Sequence, residues 1–429
     1  MTCRFPRVRI RNMATGDELD AAVRTAHDTY RQARPRSAEL DRRARQVLPG
    51  GNTRSVLDFA PFPFRVETAA GAELVDVDGH RYVDFLGNYT AGLLGHSPVA
   101  IREAVSAAME RGWALGAVHE KEVELAELVT QRFPSVDQVR FTNSGTEANL
   151  MAIGSAVHHT GRTGVLVFQH GYHGGVLSFH ETGDPLNVNH DFVLVAFNDL
   201  DAVERVFSER GDTLACVLIE PVQGSGGCIP AEPEFLQRLR ELCTSYGVVL
   251  IFDEVMTSRL SPGGAQQRYG VMPDMTTLGK YLAGGMTFGA FGGREPIMAA
   301  FDPAQGGALT QAGTFNNNVV SMTAAVTTLR DVLTSDALRE VNDRGDRLRQ
   351  ELGQVLASAP GEMWVTGMGS MIGVHARDDR HQELFFHAML ADGHYTARRG
   401  FIALSLAITD DHIDGLVVSA RRWADRSTP

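Results

Sequence analysis

Lysine is almost absent from this chain: Lys121 and Lys280 stand against thirty-eight arginines among 429 residues. Arginine is too basic to serve as a neutral amine, so chemistry needing a nucleophilic side-chain nitrogen has very few addresses here. Cysteine is scarce as well. Cys3, Cys216, Cys228 and Cys243 show no Cys-x-x-Cys spacing and no nearby histidine cluster, so neither a zinc site nor a disulfide framework is indicated, and no metal is expected. Apolar runs such as Val248 to Phe252 fall far short of the roughly 20 residues that span a bilayer. Positive charge is not in excess either. A net charge of −12 argues against a nucleic-acid groove and for small-molecule chemistry. Repeats, low-complexity segments and Pro/Ser-rich linkers are missing, which predicts closely packed domains.

The first residues carry Arg4, Arg7, Arg9 and Arg11 without an acidic residue, a faint imitation of a transit peptide, yet they lack the apolar stretch of a secretory signal. A start at Met13 and a cytoplasmic protein are the simpler expectation. Asp17 to Val47 has helical spacing and ends at the turn signal Leu48-Pro49-Gly50-Gly51. Ala72 to Phe85 alternates around Gly79 and predicts a β-hairpin. From about residue 100, strands alternate with helices, the pattern of a largely parallel sheet covered on both faces. Strands are expected at Gln138 to Thr142, Gly164 to Phe168, Phe192 to Ala196, Leu214 to Ile219, Val248 to Phe252 and Phe288 to Gly292, with helices at Glu147 to His158, Leu200 to Glu209 and Pro233 to Ser245. Two helical stretches after Asn318 precede strands at Met363 to Ala376 and Phe401 to Leu406. The fold class read from this is α/β, a large domain over residues 91–330 and a smaller α+β domain assembled from 1–90 and 331–429.

Three glycine-bearing segments and one acidic strand end carry the chemistry. Strand Gln138 to Thr142 runs into Asn143-Ser144-Gly145-Thr146-Glu147, where free backbone N–H groups at a helix N-terminus suit a phosphate; alone, the segment is equally a helix cap. Gly-x-Gly-x-x-Gly and Gly-Lys-Ser/Thr spacings are absent, so a monophosphate cofactor fits better than a dinucleotide or a triphosphate. Gly171-Tyr172-His173-Gly174 allows an aromatic ring close to a planar ligand, and Gly313-Thr314-Phe315-Asn316 offers a hydroxyl and amides. Strand Val248 to Phe252 ends at Asp253-Glu254, upstream of Thr277-Leu278-Gly279-Lys280. Together these suggest a carbonyl cofactor held as a Schiff base on Lys280 with Asp253 against its ring nitrogen.

With Ile219-Glu220-Pro221 and Phe252-Asp253-Glu254-Val255-Met256 added, the segments stand in the order and spacing of one family. The chain resembles the class III aminotransferases of pyridoxal 5′-phosphate fold type I over about residues 45 to 425, in the branch holding glutamate-1-semialdehyde aminomutase and β-amino-acid aminotransferases. The resemblance implies Lys280 as Schiff-base lysine and proton carrier, and Asp253 as partner of the ring nitrogen. It puts Tyr172 and Val255 on the two ring faces, Ser144, Gly145 and Thr146 on the phosphate, Glu220 near the cofactor, and Thr314 in the site of a second subunit, hence a homodimer. Met256-Thr257 replaces the Gln-x-Gly of many members and is similar to the aminomutase branch. Arg54 and Arg399, whose guanidinium forks suit planar oxyanions, lie with Phe59 to Pro63 in segments more similar to aromatic β-amino-acid aminotransferases. The implied reaction moves an amine from a β-amino acid to a small-molecule keto acid, 2-oxoglutarate or pyruvate. Intramolecular transfer of the glutamate-1-semialdehyde type is the alternative.

Overall fold

A computed structural model describes residues 16–180 and 184–425; the arginine-rich first residues and the Met13 start lie outside the described residues. The chain forms two compact units, one of Val99–Glu340 and one of the described residues of Met1–Pro98 and Val341–Pro429.

The Val99–Glu340 unit is built on a seven-stranded sheet. Its spatial order is Gln138–Thr142, Gly289–Gly293, Met275–Gly279, Val249–Asp253, Leu214–Ile219, Gly164–Phe168, Asp191–Val195. All its strand pairings are parallel except those of Gly289–Gly293, which runs antiparallel to both neighbours. Leu166, Phe168, Val217, Ile219, Leu250 and Phe252 enter one core with the helices Leu200–Arg210 and Pro233–Tyr246. Val165, Val167, Cys216, Leu218, Val249 and Ile251 enter another with the helix Gly145–Thr160. This period of two on strands buried on both faces explains why they read as unbroken apolar runs.

Two differences from the sequence reading matter for the site. The acidic strand is Val249–Asp253, one residue later than expected, so Asp253 is its last residue and points to the face of Ile251, under the helix Gly145–Thr160. Met275–Gly279 is a strand that the sequence did not announce. Both its threonines are fully buried, yet Thr276 bonds Ser135 Oγ at 2.7 Å and Thr277 donates to Asn149 Oδ1 at 2.7 Å, so polar side chains sit at no cost in unmet hydrogen bonds. Gly289 shows how tightly the antiparallel strand is inserted: a Cβ there would lie 2.1 Å from Ser144 O.

In the other unit the N-terminal helical stretch is two helices, Gly16–Ala33 and Pro35–Ala44, broken where Pro35 removes an N–H. Glu73–Asp76 and Arg81–Asp84 form the expected hairpin, extended by Val66–Ala70 on one side and by parallel His394–Tyr395 on the other. Trp364–Met368, Met371–His375 and Phe401–Ala403 form a second sheet. Phe59 and Phe62 are buried beside Tyr30 and Phe386, so the Phe59 to Pro63 segment contributes its aromatic rings to a core. His27 and His387 both bond Glu383 Oε1, at 2.9 and 3.2 Å, and Arg398 bonds the other oxygen. Burial alone would raise the Glu383 carboxyl, but these three partners hold it well below the usual range. No local pattern announces this cluster, in which the Arg398 guanidinium already offsets the carboxylate charge. Among the described residues no helix is long and apolar enough to cross a membrane.

Candidate active site

Parallel strands bring their carboxyl ends to one edge of the sheet, where ligands of such folds collect. Asp253 ends one strand, Glu220 follows the end of Leu214–Ile219, Tyr172 and His173 follow Gly164–Phe168, and Lys280 follows Met275–Gly279. These residues, with Gly145 and Thr146 of the helix start and with Val255, line one cleft of about 180 Å³. A larger groove of about 550 Å³ runs past Val123, Arg140 and Phe301, with no nucleophile or acid–base pair converging on it. Convergence of polar groups, not size, marks the site.

Asp253 is 4 % exposed. Its Oδ2 accepts from Asn149 Nδ2 and from His173 Nδ1, both at 2.8 Å, and its Oδ1 accepts from the Val255 N–H at 3.0 Å. A carboxylate only accepts, so His173 carries its proton on Nδ1. Burial by itself would raise this carboxyl; the bond and charge of His173, the Lys280 ammonium and the Val255 N–H outweigh it and hold the group below the usual range. A buried carboxylate kept ionised at the floor of a cleft calls for a cationic ligand atom. Asn149, 1 % exposed, ties the floor together. Its Nδ2 also donates to His173 O at 2.9 Å, and its Oδ1 takes the Thr277 hydroxyl, three residues before Lys280.

Glu220 accepts the Tyr172 N–H at 2.9 Å and the Gly224 N–H at 3.1 Å, fastening the Tyr172 loop to the strand end. Burial, helped by the nearby Asp253 charge, raises its carboxyl. Tyr172 is 45 % exposed and lines the cleft. Gly174 has φ +131° and lies so close to Thr146 that a Cβ would meet its Oγ1 at 2.1 Å, which lets the loop backbone approach the helix start. There Ser144 caps the helix by accepting the Glu147 N–H at 3.2 Å, while the first-turn N–H groups of Gly145 and Thr146 have no acceptor among the described residues. Val255 packs on Gly145 and Gly279 and forms part of a wall. Lys280 is half-buried with φ +52°, a sparsely populated conformation for a residue with a side chain.

Of the expected residues, the structure therefore gathers Lys280, Asp253, Gly145, Thr146, Tyr172, Glu220 and Val255 at one cleft, with Ser144 at its helix cap. Thr314 lies elsewhere in the same unit, on an exposed loop that is anchored through Asn316 Oδ1 to Asn143 Nδ2 at 2.9 Å. His173, Asn149 and Thr277 were missed as functional. Asn149 carried one readable signal, a lone amide one helical turn after Gly145 on an otherwise apolar face of Ala148, Ala152 and Ile153.

Arg54 and Arg399 belong to the other unit, and there both meet one turn. Arg54 Nη1 donates to Asn88 Oδ1 at 2.6 Å, and the Arg399 guanidinium lies 5.1 Å from the centre of the Tyr89 ring and bonds its hydroxyl. Gly87, Asn88, Tyr89 and Thr90 all have positive φ, from +46° to +77°. Asparagine enters this region readily, whereas Tyr89 and Thr90 cost about 1–2 kcal/mol each there. The strain is held by Asp84 Oδ1, which accepts the Leu86 and Gly87 N–H groups, by Gly92 N–H on Gly87 O at 2.8 Å, and by Tyr89 Oη on Val56 O at 2.9 Å.

The chain belongs to the class III aminotransferases, whose family model matches residues 58–420. It is therefore a pyridoxal-phosphate-dependent transferase. Among individual relatives it is 45 % identical over 414 residues to the β-phenylalanine transaminase of Variovorax paradoxus, covering 94 % of this chain and 95 % of that one. The crystal structure of a β-phenylalanine aminotransferase from the same organism superposes with a TM-score of 0.92 at 44 % identity, over 94 % of this chain and 97 % of that chain. A glutamate-1-semialdehyde aminomutase from Pseudomonas aeruginosa superposes with a TM-score of 0.86 at 25 % identity, over 95 % and 98 %. The cleft fits the cofactor on its own geometry: a buried carboxylate for a protonated ring nitrogen, two unspent N–H groups for a phosphate, an exposed tyrosine and an amine.

Proposed function

We propose that this enzyme transfers the amine of an aromatic β-amino acid to a keto acid such as 2-oxoglutarate or pyruvate. The observation that carries the reading is the placement of Lys280 and Asp253 in one cleft at the sheet edge, in a chain so similar to a β-phenylalanine transaminase. When bound, pyridoxal phosphate supplies an aldehyde that accepts the amine and a ring that draws electrons from the neighbouring carbon. Asp253 holds the proton on the ring nitrogen, and His173 and Asn149 hold Asp253 ionised and oriented. Lys280 Nζ anchors the cofactor, and once displaced takes the proton from the substrate carbon that bears the amine. Gly145 and Thr146 N–H groups, with the Ser144 and Thr146 hydroxyls, bind the phosphate at the positive helix end. Tyr172 and Val255 cover the ring, and Glu220 fixes the Tyr172 loop. Arg54 and Arg399 receive the carboxylates of donor and acceptor.

The same proposal includes a cytoplasmic homodimer in which Thr314 reaches the phosphate of the neighbouring subunit; the exposed Phe315 next to it suits burial at such a contact. Purified enzyme should deaminate 3-amino-3-phenylpropanoate only when a keto acid is present. Conversion of glutamate-1-semialdehyde without any keto acid, and inertness toward the β-amino acid, would replace this reading with the intramolecular one.

A further inference from the structure

Two acids stand side by side at the end of Val249–Asp253, and each is tied through one carboxamide to a threonine of the neighbouring strand. Asp253 pairs in register with Thr277, so the two side chains share the face covered by the helix Gly145–Thr160. The bonds on that face run from Thr277 Oγ1 to Asn149 Oδ1 at 2.7 Å, and from Asn149 Nδ2 to Asp253 Oδ2 at 2.8 Å. On the opposite face Gln266 Nε2 donates to Glu254 Oε1 at 3.3 Å and to Thr276 Oγ1 at 3.2 Å. All six residues are buried.

The two arms differ in what holds the acid. Glu254 takes the backbone N–H groups of Ala265 and Gln266 at 2.7 and 2.9 Å, donors that the path of the chain fixes. Asp253 takes the Val255 N–H and otherwise depends on the side chains of Asn149 and His173, which have to be aimed. A carboxamide is nearly symmetric in shape but not in charge. With its nitrogen toward Asp253 it donates; with its oxygen there it would set acceptor against acceptor. A threonine hydroxyl has one proton, and that of Thr277 goes to Asn149 Oδ1, which commits the nitrogen to Asp253 and to the His173 carbonyl at 2.9 Å. The same bond polarises the amide and strengthens its N–H groups as donors. Thr277 itself lines no part of the cleft, and its strand runs directly into Lys280. We propose that Thr277 is a positioning residue, which through Asn149 aims an N–H at the carboxylate of Asp253 from the strand that also delivers Lys280. This rests on the transaminase reading and adds a residue outside the cleft that sets the charge within it.

The test compares cofactor-loaded wild type with three variants. Thr277→Val keeps the shape and removes the proton, Thr277→Ser keeps the hydroxyl, and Thr276→Val removes an equally buried hydroxyl from the opposite face. The readouts are the pH profile of kcat/KM with 3-amino-3-phenylpropanoate and the ring-nitrogen NMR signal of isotopically labelled pyridoxal phosphate bound to the protein. Thr277→Val should change the ionisation equilibrium of Asp253 by a factor of about three to ten, less than loss of the whole amide. The acid limb then moves to higher pH, and the ring-nitrogen signal moves toward its unprotonated position. Thr277→Ser should bring both back toward wild type. Thr276→Val should melt lower yet move neither. In an Asn149→Ala background Thr277→Val should add no further shift, because its route to Asp253 is gone. Thr277→Ala carries the same expectations as Thr277→Val should the valine variant not fold. Readouts that stay in place without the Thr277 hydroxyl, that move equally in Thr276→Val, or that move further in the Asn149→Ala background would overturn the proposal. A protein whose ring-nitrogen signal responds as stated but that exchanges no amine with any keto acid would overturn the transaminase reading and leave the role of Thr277 standing.

Discussion

Replacing Asn149 with alanine isolates the contribution of one amide to the charge on Asp253. The substitution removes one of the three N–H donors on that carboxylate and leaves the Thr277 hydroxyl and the His173 carbonyl without the partners they have at 2.7 and 2.9 Å. A hydrogen bond to a charged group contributes about 1.5–3 kcal/mol, so the ionisation equilibrium of Asp253 should move by a factor of roughly ten to a hundred toward the protonated form. The sign follows from the depressed carboxyl of the wild type, whose contribution is complete above its unfolded value and is lost as pH falls through the folded one. Losing a donor raises the folded value, so the acid limb of kcat/KM must shift to higher pH, and the stability of the variant must decline earlier on acidification. The two stranded partners add a pH-independent loss of about 1–3 kcal/mol each, less whatever an entering water recovers. The assay is the pH profile of kcat/KM with 3-amino-3-phenylpropanoate, paired with thermal melts of cofactor-free protein across the same range. An acid limb that stays in place while the protein is folded and loaded would refute the role given to Asn149.

Lys280→Ala should abolish turnover while the fold persists, and borohydride reduction of the wild type followed by peptide mapping should find the cofactor on Lys280; labelling of Lys121 would sink the assignment. Gly174→Ala puts a Cβ 2.1 Å from Thr146 Oγ1 at a φ of +131°, so it should cost about 1–3 kcal/mol or more in Tm-derived stability and weaken cofactor retention, read by fluorescence on dialysis. Mixing Lys280→Ala and Thr314→Ala protomers should restore activity by forming hybrid dimers with one intact site if the two residues serve opposite subunits; an active monomer would count against that arrangement.

Lys280 and Asp253 were legible because a nearly lysine-free chain makes each lysine conspicuous and because an apolar strand ending in two acids is an unusual thing to bury. The strands Gly164–Phe168 and Leu214–Ile219 were legible for a simpler reason: their core residues leave no polar side chains inside them. Met275–Gly279 was not, since its threonines find their partners on Ser135, Gln266 and Asn149, which no local pattern announces. The one-residue offset of Val249–Asp253 is set by pairing of Phe252 with Ile219 and Asp253 with Thr277, again information held in other strands. The left-handed run at Asn88, Tyr89 and Thr90 runs against the preferences of the tyrosine and the threonine and is visible only where Asp84 and Gly92 enforce it.

The reversed strand Gly289–Gly293 has a consequence for how the protein is made. It lies between Gln138–Thr142 and Met275–Gly279, with Gly289 facing Thr142 on one side and Gly279 on the other. On the Gly279 side the link is a hairpin closed over the nine residues from Lys280 to Phe288, a local event. On the Thr142 side the partner was synthesised some 150 residues earlier, and it leads straight into the start of the helix Gly145–Thr160. A nascent chain that has not yet emerged past Gly293 can fold neither half of the cofactor cradle against the other. Assembly of the cleft is thus timed by a strand that lines no part of it, and truncation or stalling before that strand should yield a chain unable to hold cofactor although Ser144, Asp253 and Lys280 have all been made.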